Sequence, residues 1–379
     1  MTVSGPGADH APAQPEARGR GRALVTGAAG VMGVRLVRGL IEAGWKVRAL
    51  VLPRDPLRSR LEDLACELRE GDVSDPRSLS RLCDDIDTVY HLAAVILSYD
   101  PNVFRRVNLE GTTNMVSVAV AGGVRHFVYV SSASVTYPRR TPYAESKLAA
   151  ERVVLQQPAL MHTIVRPTLA YDENGGQEFL MFLKYLQRFP VVPFIGAGKA
   201  VKRPVWAADI VDGLLRVAGN PVAYGKTYNF SGGEPISMVA FARLVLRHHG
   251  GERPMVRVPV VACRALASAM RATMRRPPLT SSAIEGVVND ADLDPAAAMR
   301  DLGYAPLGVR EGFRRCFPIA PHPVEGIVPN EAPSQDTSRL GHTFVKGDVI
   351  ASRESPPLSR PQQASHGTTN FSQSEGNPR

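Results

Sequence analysis

Tyr143 and Lys147 stand four residues apart in Pro142-Tyr-Ala-Glu-Ser-Lys-Leu-Ala-Ala-Glu151, a spacing that puts both side chains on one face of a helix. A phenol beside an ammonium can exchange a proton with an alcohol or ketone, because a fixed cation favours phenolate and lowers a group that ordinarily titrates near pH ~10. An ordinary solvated helix pair has the same spacing, so the neighbouring elements decide its meaning. His126-Phe-Val-Tyr-Val130 reads as a mostly apolar strand ending in Ser131-Ser-Ala-Ser134, and Tyr143 opens the next helix eleven residues after Ser132. These hydroxyls emerge at the carboxyl edge of a sheet, where ligands sit in open α/β folds. Ser132 is thereby placed to hydrogen-bond a substrate oxygen while Tyr143 exchanges its proton.

The elements that must position this set begin at Arg22-Ala-Leu-Val-Thr26, a short apolar strand running into Gly27-Ala-Ala-Gly30-Val31-Met32-Gly33. Val34, Leu36, Val37, Leu40 and Ile41 then keep a helical period. Gly27 allows the tight turn, Gly30 lets a pyrophosphate approach the backbone, and Gly33 lets helix and strand pack closely. The helix N-terminus offers free N–H groups to the phosphates. Strand, glycine turn and helix in this order point to a dinucleotide. The second strand covers 46–52, and its end is where an acid would grip the ribose hydroxyls of NAD. Val51-Leu52-Pro53 is followed instead by Arg54, which suits a 2′-phosphate and favours NADP over NAD, while Asp55 keeps an NAD contact open. Gly71-Asp72-Val73 either places a carboxylate at the adenine or caps the helix expected near Asp75-Pro76. The strand Thr88-Val-Tyr-His-Leu92 continues into Ala93-Ala94, whose small side chains let a cofactor lie against the backbone. Strands alternating with helices give an α/β chain with a doubly wound parallel sheet.

Composition narrows the partners. The 379 residues are 44% apolar, enough for a substantial core, and carry a formal charge of +9. The basic residues are scattered without a nucleic-acid motif, so no nucleic-acid partner is expected. Cys66, Cys83, Cys263 and Cys316 lie far apart without a Cys-x-x-Cys, which argues against a disulfide framework and a metal site and for reduced thiols in a cytoplasm. Residues 1–22 are rich in Gly, Pro, Ala and Arg without an apolar run and read as a disordered leader. Residues 321–379 shift to Ser, Pro, Gln, Asn and Gly and read as a disordered tail. Folding and chemistry belong to 23–320, and no segment approaches the ~18 apolar residues of a membrane span. Along 259–276, Cys263, Leu266, Ala267, Met270 and Met274 keep helical spacing, with Arg264, Arg271 and Arg275 on another face. That pattern fits a core helix with a solvated basic rim, or a peripheral membrane contact.

Over about 23–318 the chain closely resembles the extended branch of the short-chain dehydrogenase/reductase superfamily, which includes nucleotide-sugar epimerases, sugar dehydratases and some alcohol or steroid dehydrogenases. The resemblance is carried by Thr26-Gly-Ala-Ala-Gly-Val-Met-Gly33, Asp72, His91-Leu-Ala-Ala94, Asn108-Leu-Glu-Gly-Thr112, Ser131-Ser-Ala-Ser134, Tyr143-x-x-x-Lys147 and Arg166-Pro167. Further on it is carried by Asp209, Tyr228-Asn-Phe-Ser-Gly-Gly-Glu-Pro235 and Leu302-Gly-Tyr-Ala-Pro306. It implies a Rossmann-type sheet with the dinucleotide-binding part mainly in 23–167, and a smaller substrate portion from about 168–205 and 230–318. It makes Tyr143 the catalytic acid/base, Lys147 the cation that lowers its pKa and binds the nicotinamide ribose, Ser132 the partner of the reacting oxygen, and Asn108 a residue that maintains the site. Val73, Leu92, Ala93, Ala94 and Pro167 would meet the cofactor, NADP or NAD, and Ser134 and Thr136 the substrate.

Sugar dehydratases of this branch carry an Asp-Glu pair directly after the catalytic hydroxyl. Ala133 and Ser134 stand there instead, so epimerisation or simple carbonyl/alcohol redox is expected rather than dehydration. Nucleotide-sugar epimerases place an arginine before their Asp to meet the diphosphate. In Val201-Lys-Arg-Pro-Val-Trp-Ala-Ala-Asp209 this would be Lys202 or Arg203, with Trp206 replacing the more usual histidine. The leading expectation is an NAD(P)-dependent oxidoreductase or epimerase that transfers hydride at a secondary alcohol or ketone of a nucleotide sugar. The alternative is an NADP-dependent reductase or dehydrogenase of an apolar, steroid-like carbonyl. A reading of a different class is a non-catalytic NAD(P)-binding sensor or assembly subunit, for which the complete Ser132, Tyr143 and Lys147 set would be unneeded. The expected partner is a small-molecule substrate, and a homodimer is left open.

Overall fold

The computed structural model describes residues 21–249 and 251–318. The expected tail, and the expected leader apart from Gly21 and Arg22, lie outside the described residues. Seven strands form the central sheet: β1 (Arg22–Thr26), β2 (Lys46–Val51), β3 (Glu67–Glu70), β4 (Thr88–His91), β5 (His126–Val130), β6 (Met161–Pro167) and β7 (Lys226–Phe230). Their order is β7-β6-β5-β4-β1-β2-β3 and every pairing is parallel. β5 is buried along its whole length, as a strand covered by helices on both faces must be. The chain winds outward from β1 in one direction and from β4 in the other. Between these two strands the order reverses, which opens a crevice at their carboxyl ends.

One face is covered by α1 (Val31–Glu42) and α5 (Ala207–Val217), which bury Leu36, Val37, Leu40, Ile210, Leu214 and Val217 with Tyr90 and Val128 of the sheet. The two helices lie very close. A Cβ on Gly39 would stand 2.7 Å from Leu215 Cδ1, so a larger residue there would push them apart. The other face is covered by α2 (Gly111–Ala121) and α3 (Pro142–Leu155), which pack Met115, Val116, Ala119, Ala150 and Val154 on Phe127, Tyr129 and Ile164. A third, aromatic cluster joins Tyr171, Phe179, Phe241 and Phe313 from the later part of the chain. It unites α4 (Gln177–Arg188), α6 (Met238–His248) and α10 (Val309–Cys316) beyond the carboxyl edge of the sheet. Three further helices are α7 (Val260–Thr273), α8 (Ser281–Val288) and α9 (Ala296–Leu302), and a single helical turn, Pro101–Phe104, precedes α2.

A buried polar chain ties the layers at the crevice. The Thr112 hydroxyl donates to the Asn108 carbonyl at 2.6 Å, so toward His91 Nε2, 3.0 Å away, it can only accept. That fixes the proton on Nε2, and Nδ1 accepts from the Thr26 hydroxyl at 2.8 Å. Thr26 Oγ1 in turn accepts the Ala93 amide at 3.1 Å. Burial, with the nearby Lys147 charge, pushes the His91 pKa from 6.5 to about 3. The unfolded chain protonates this histidine below pH 6.5 and the folded chain does not, so its contribution destabilises the fold progressively as pH falls from about 6.5 to about 3. The full loss is roughly 4–5 kcal/mol. His91→Gln should therefore flatten the fall of the urea midpoint over that window; equally steep curves for both proteins would remove His91 as the cause.

Candidate active site

The glycine turn is shaped by what surrounds it. Gly27 has φ +67°, and a Cβ there would meet the Ala93 amide nitrogen at 2.9 Å. On Gly33 a Cβ would lie 2.2 Å from the Gly27 carbonyl oxygen, so any side chain would drive α1 off the turn. Gly30 caps α1 in extended conformation with no side-chain hydrogen bond. The first N–H groups of the helix, at Val31 and beyond, therefore keep their donors for an anion. Met32 lies half-buried in the same first turn, and Leu92, Ala93 and Ala94 line the opposite side after β4. A turn that closes on backbone, with a free helix N-terminus and small side chains opposite, fits a dinucleotide.

The adenosine end differs in detail from its two readings. Arg54 lies just beyond β2, exposed and with φ +59°, while Asp55 turns its carboxylate back to the Leu57 amide at 2.9 Å. Asp72 Oδ1 accepts the amide and the hydroxyl of Ser74, each at 2.8 Å. The helical turn Pro76–Leu79 is capped by Asp75 and not by Asp72, since the cap must directly precede the first helical residue. The Val73 carbonyl is held by Asn114 Nδ2 at 2.9 Å. Pro167 is buried at the end of β6, opposite Phe230.

The proton-handling residues meet at the carboxyl ends of β5 and β6. Thr141 caps α3 and Pro142 opens it, so Tyr143 sits in the first turn and Lys147 and Glu151 follow on the same face. Lys147 is 1% exposed. Its ammonium donates to the Val130 carbonyl at 2.7 Å and lies 4.2 Å from the centre of the Tyr129 ring. Burial lowers its pKa to about 7, and the Glu151 charge opposes that fall. Glu151 is itself held by Arg166 through two bonds of 2.8 and 2.6 Å. The Tyr143 phenol is pushed upward by burial and by the charge of Glu178, against a downward pull from Ser132. Its ring packs edge-on to Phe104 at 6.1 Å.

Ser132 caps the short turn Ala133–Thr136, and its Oγ lies 2.9 Å from Ser134 Oγ. Ser134 is thus brought beside Ser132. Thr136 is not brought there: it is exposed, and its hydroxyl donates to the Ala133 carbonyl at 2.8 Å. Asn108 is fully buried within a π-helical turn, Arg105–Glu110, that re-aims one residue of an otherwise regular helix. Its Nδ2 donates to the Val95 carbonyl at 2.9 Å and to Ser146 Oγ at 3.0 Å, and its Oδ1 accepts the Val95 amide at 2.8 Å. Ser146 Oγ donates to the Tyr143 carbonyl at 2.7 Å. Asn108 is thereby linked through Ser146 to the Tyr143 carbonyl.

The two cations expected to meet a diphosphate are already engaged. Lys202 is buried, donates to the Asn289 carbonyl and lies 5.2 Å from the Tyr137 ring centre. Burial pulls it down to about 8, against the raising charges of Glu178 and Asp290. Arg203 pairs with Asp292 at 2.5 Å and reaches the Gly233 carbonyl at 3.3 Å. Glu178, in the first turn of α4, was not signalled by spacing. Its charge raises Tyr143, Tyr137 and Lys202 together. The only hint in the sequence is the Gly175-Gly176 pair that precedes it.

Arg264 and Arg271, seven residues apart on α7, lie on one face, and Arg275 lies beyond the end of the helix. Arg264 is paired with Glu285 at 2.8 Å, while Arg271 and Arg275 are exposed. Cys263 and Ala267 are buried, whereas Leu266 and Met274 are open to solvent. Among the described residues no helix is long and apolar enough to cross a membrane, and no group of His, Cys, Asp and Glu is placed to hold a metal ion.

The chain is similar to known proteins. Residues 23–231 match the NAD dependent epimerase/dehydratase family. The chain is 29% identical over 361 residues to 3 beta-hydroxysteroid dehydrogenase/Delta 5-->4-isomerase of Mycobacterium tuberculosis, covering 84% of this chain and 95% of that one. It is also 29% identical over 328 residues to 2-alkyl-3-oxoalkanoate reductase of Stenotrophomonas maltophilia, covering 77% and 97%. Its fold is that of the dTDP-glucose 4,6-dehydratase DesIV from Streptomyces venezuelae with NAD bound, at TM-score 0.61 and 24% identity over 78% of this chain and 95% of that one. With its family model matched over more than half of its length, the chain belongs to the NAD dependent epimerase/dehydratase family and is an NAD(P)-dependent enzyme of the extended short-chain dehydrogenase/reductase type.

Proposed function

We propose that this enzyme is an NADPH-dependent reductase of an apolar carbonyl compound, a steroid-like or long-alkyl ketone, acting in the cytoplasm. The observation that carries this reading is that Lys202 and Arg203 are both engaged by the chain's own acceptors, so neither stands free to grip a nucleotide diphosphate. The two relatives matched along most of their length are named for a hydroxysteroid and for an oxoalkanoate. Leu97, Tyr99, Leu180 and Met181, on the loop after β4 and on α4, leave large apolar surface open. Arg54, exposed at the ribose end and set in place of the acid that NAD would use, supports NADP.

When bound, the nicotinamide supplies the hydride. Ser132 holds the carbonyl oxygen. Tyr143, whose proton is retained by burial and by the Glu178 charge, donates that proton to the same oxygen as the carbon is reduced. Lys147, fixed on the Val130 carbonyl, is assigned the nicotinamide ribose; the lowering of the Tyr143 phenol that the resemblance implies for it is outweighed by burial and the Glu178 charge. Asn108 and Ser146 hold the first turn of α3 so that the phenol meets the oxygen. The substrate is assigned to the elements drawn from 168–205 and 230–318.

We infer further that α7 rests on a membrane surface from which such a substrate is taken. Its outward residues Val261, Ala262, Ala265, Leu266, Ala269 and Ala272 are exposed and carry no charge, and the exposed Arg271, Arg275 and Arg276 gather at its C-terminal end. An apolar face edged with arginines complements anionic lipid.

Incubation with alkyl ketones, oxosteroids and nucleotide sugars, following nicotinamide absorbance and product stereochemistry, should show net NADPH consumption with an apolar ketone, faster than with NADH. Inversion of a nucleotide sugar without net consumption would overturn the reading. Tyr143→Phe should cut kcat by about 10²–10⁴-fold while the cofactor Kd is kept; unchanged turnover would take Tyr143 out of the chemistry. The protein should pellet with vesicles rich in anionic phospholipid, and V261D/L266D should abolish this; equal pelleting of both proteins counts against the α7 contact.

A further inference from the structure

Away from the proton-handling centre, an arginine of the cofactor helix is committed to two acids that lie far along the chain. Arg35 stands four residues after Val31, so the two share one face of α1. Its Nε is 2.9 Å from Asp172 Oδ2, and a second guanidinium nitrogen pairs with Glu173. The Asp172 side chain is 1% exposed. Burial pushes its carboxyl up, opposed by the Asn174 amide and by Arg35, and a charge so enclosed is tolerated only with its partner in place.

Asp172 and its neighbours make a tight turn. Asp172 Oδ1 accepts the Asn174 amide at 2.8 Å, its carbonyl accepts the Gly175 amide at 3.3 Å, and Asp172 and Gly175 form an antiparallel bridge. Gly175 and Gly176 have φ of +138° and +101°. A Cβ on Gly175 would lie 3.2 Å from Val31 Cγ2, so the tip of the turn is seated on the first residue of α1, beside the free N–H groups of the phosphate cradle. A second tether comes from α10, where the Cys316 thiol donates to Glu173 Oε2 at 3.2 Å. The turn then runs directly into α4 and Glu178.

We propose that the turn at 172–176 is a strap that closes over the pyrophosphate end of the dinucleotide, and that Arg35 is the positioning residue that latches it. The Arg35 pair to Asp172 and Glu173 thereby sets how long the cofactor stays bound, and the two glycines give the turn the backbone freedom to lift. Arg35 is attached to the helix that holds the phosphates, so the latch can form only when α1 and the strap are in register. The same connection carries the closed state of the strap to Glu178 and the substrate side.

The test is the dissociation rate of whichever of NADPH and NADH binds more tightly, followed by nicotinamide fluorescence on displacement from the full-length protein. Arg35→Lys keeps the charge but loses the two-acid geometry, and Gly175→Ala disturbs the seat on Val31 without touching any charge. Each should raise the dissociation rate at least about tenfold, with an association rate close to that of the unsubstituted protein. A purely structural role for Arg35 would lower the thermal midpoint and leave that rate in place. Dissociation rates within about twofold of the unsubstituted protein in both variants would overturn the strap. If Arg35→Lys proves too unstable to study, Asp172→Asn removes the buried charge at constant shape and is held to the same criterion.

Discussion

A lysine ammonium held out of water constrains everything near this active site. Lys147 is 1% exposed, and an ammonium in such a place must be met by oxygen or by an aromatic face. It receives the Val130 carbonyl, the Tyr129 ring and the field of Glu151. Each of these fixes a different element. Val130 ends β5 and sets the start of the Ser131-Ser132 turn; Tyr129 belongs to the strand beneath; Glu151 joins α3 to the end of β6 through Arg166. The register of α3 against the sheet, and with it the approach of Tyr143 to Ser132, follows from keeping one charge solvated by protein.

The cofactor cradle and the acid/base are coupled through hydrogen bonds and not only through a shared scaffold. From the Gly27 turn, Thr26 reaches His91, His91 reaches Thr112, and Thr112 reaches the Asn108 carbonyl. Asn108 continues to Ser146 and so to the first turn that carries Tyr143. Because His91 must stay neutral for its Nδ1 to accept, the chain has one direction of donation from end to end. The π-helical turn at Arg105–Glu110 is the local irregularity that lets Asn108 serve both sides, facing Val95 at the crevice and Ser146 on α3.

Much of this was legible in the sequence where function depends on short-range pattern. The turn Gly27, Gly30, Gly33, the alternation of strands and helices, and the four-residue step from Tyr143 to Lys147 are all local, and local spacing is what a sequence states directly. The rest depends on partners far apart in the chain. Arg203 looks free until Asp292 is folded against it, 89 residues away. Arg35 meets Asp172 and Glu173 only because the strap crosses α1, and Glu178 reaches Tyr143 only because α4 begins where the strap ends. In α7, the helical period correctly marks one buried stripe through Cys263 and Ala267, but periodicity alone could not tell that Leu266 and Met274 face outward.

The charges around the cleft all lean the same way. Tyr143 and Tyr137 are both pushed up by burial and by Glu178, while Lys147 and Lys202 are pulled down to about 7 and about 8. Burial is the first cause of all four shifts, so the neutral forms of these groups are favoured. In such a site a neutral carbonyl loses little on entering, whereas a diphosphate would need compensating charges that Lys202 and Arg203 already direct elsewhere. A phenol kept protonated is also in the state required to give a proton away. On the proposed reading, the burial that suits the cleft to an apolar ketone is the same burial that raises the Tyr143 phenol.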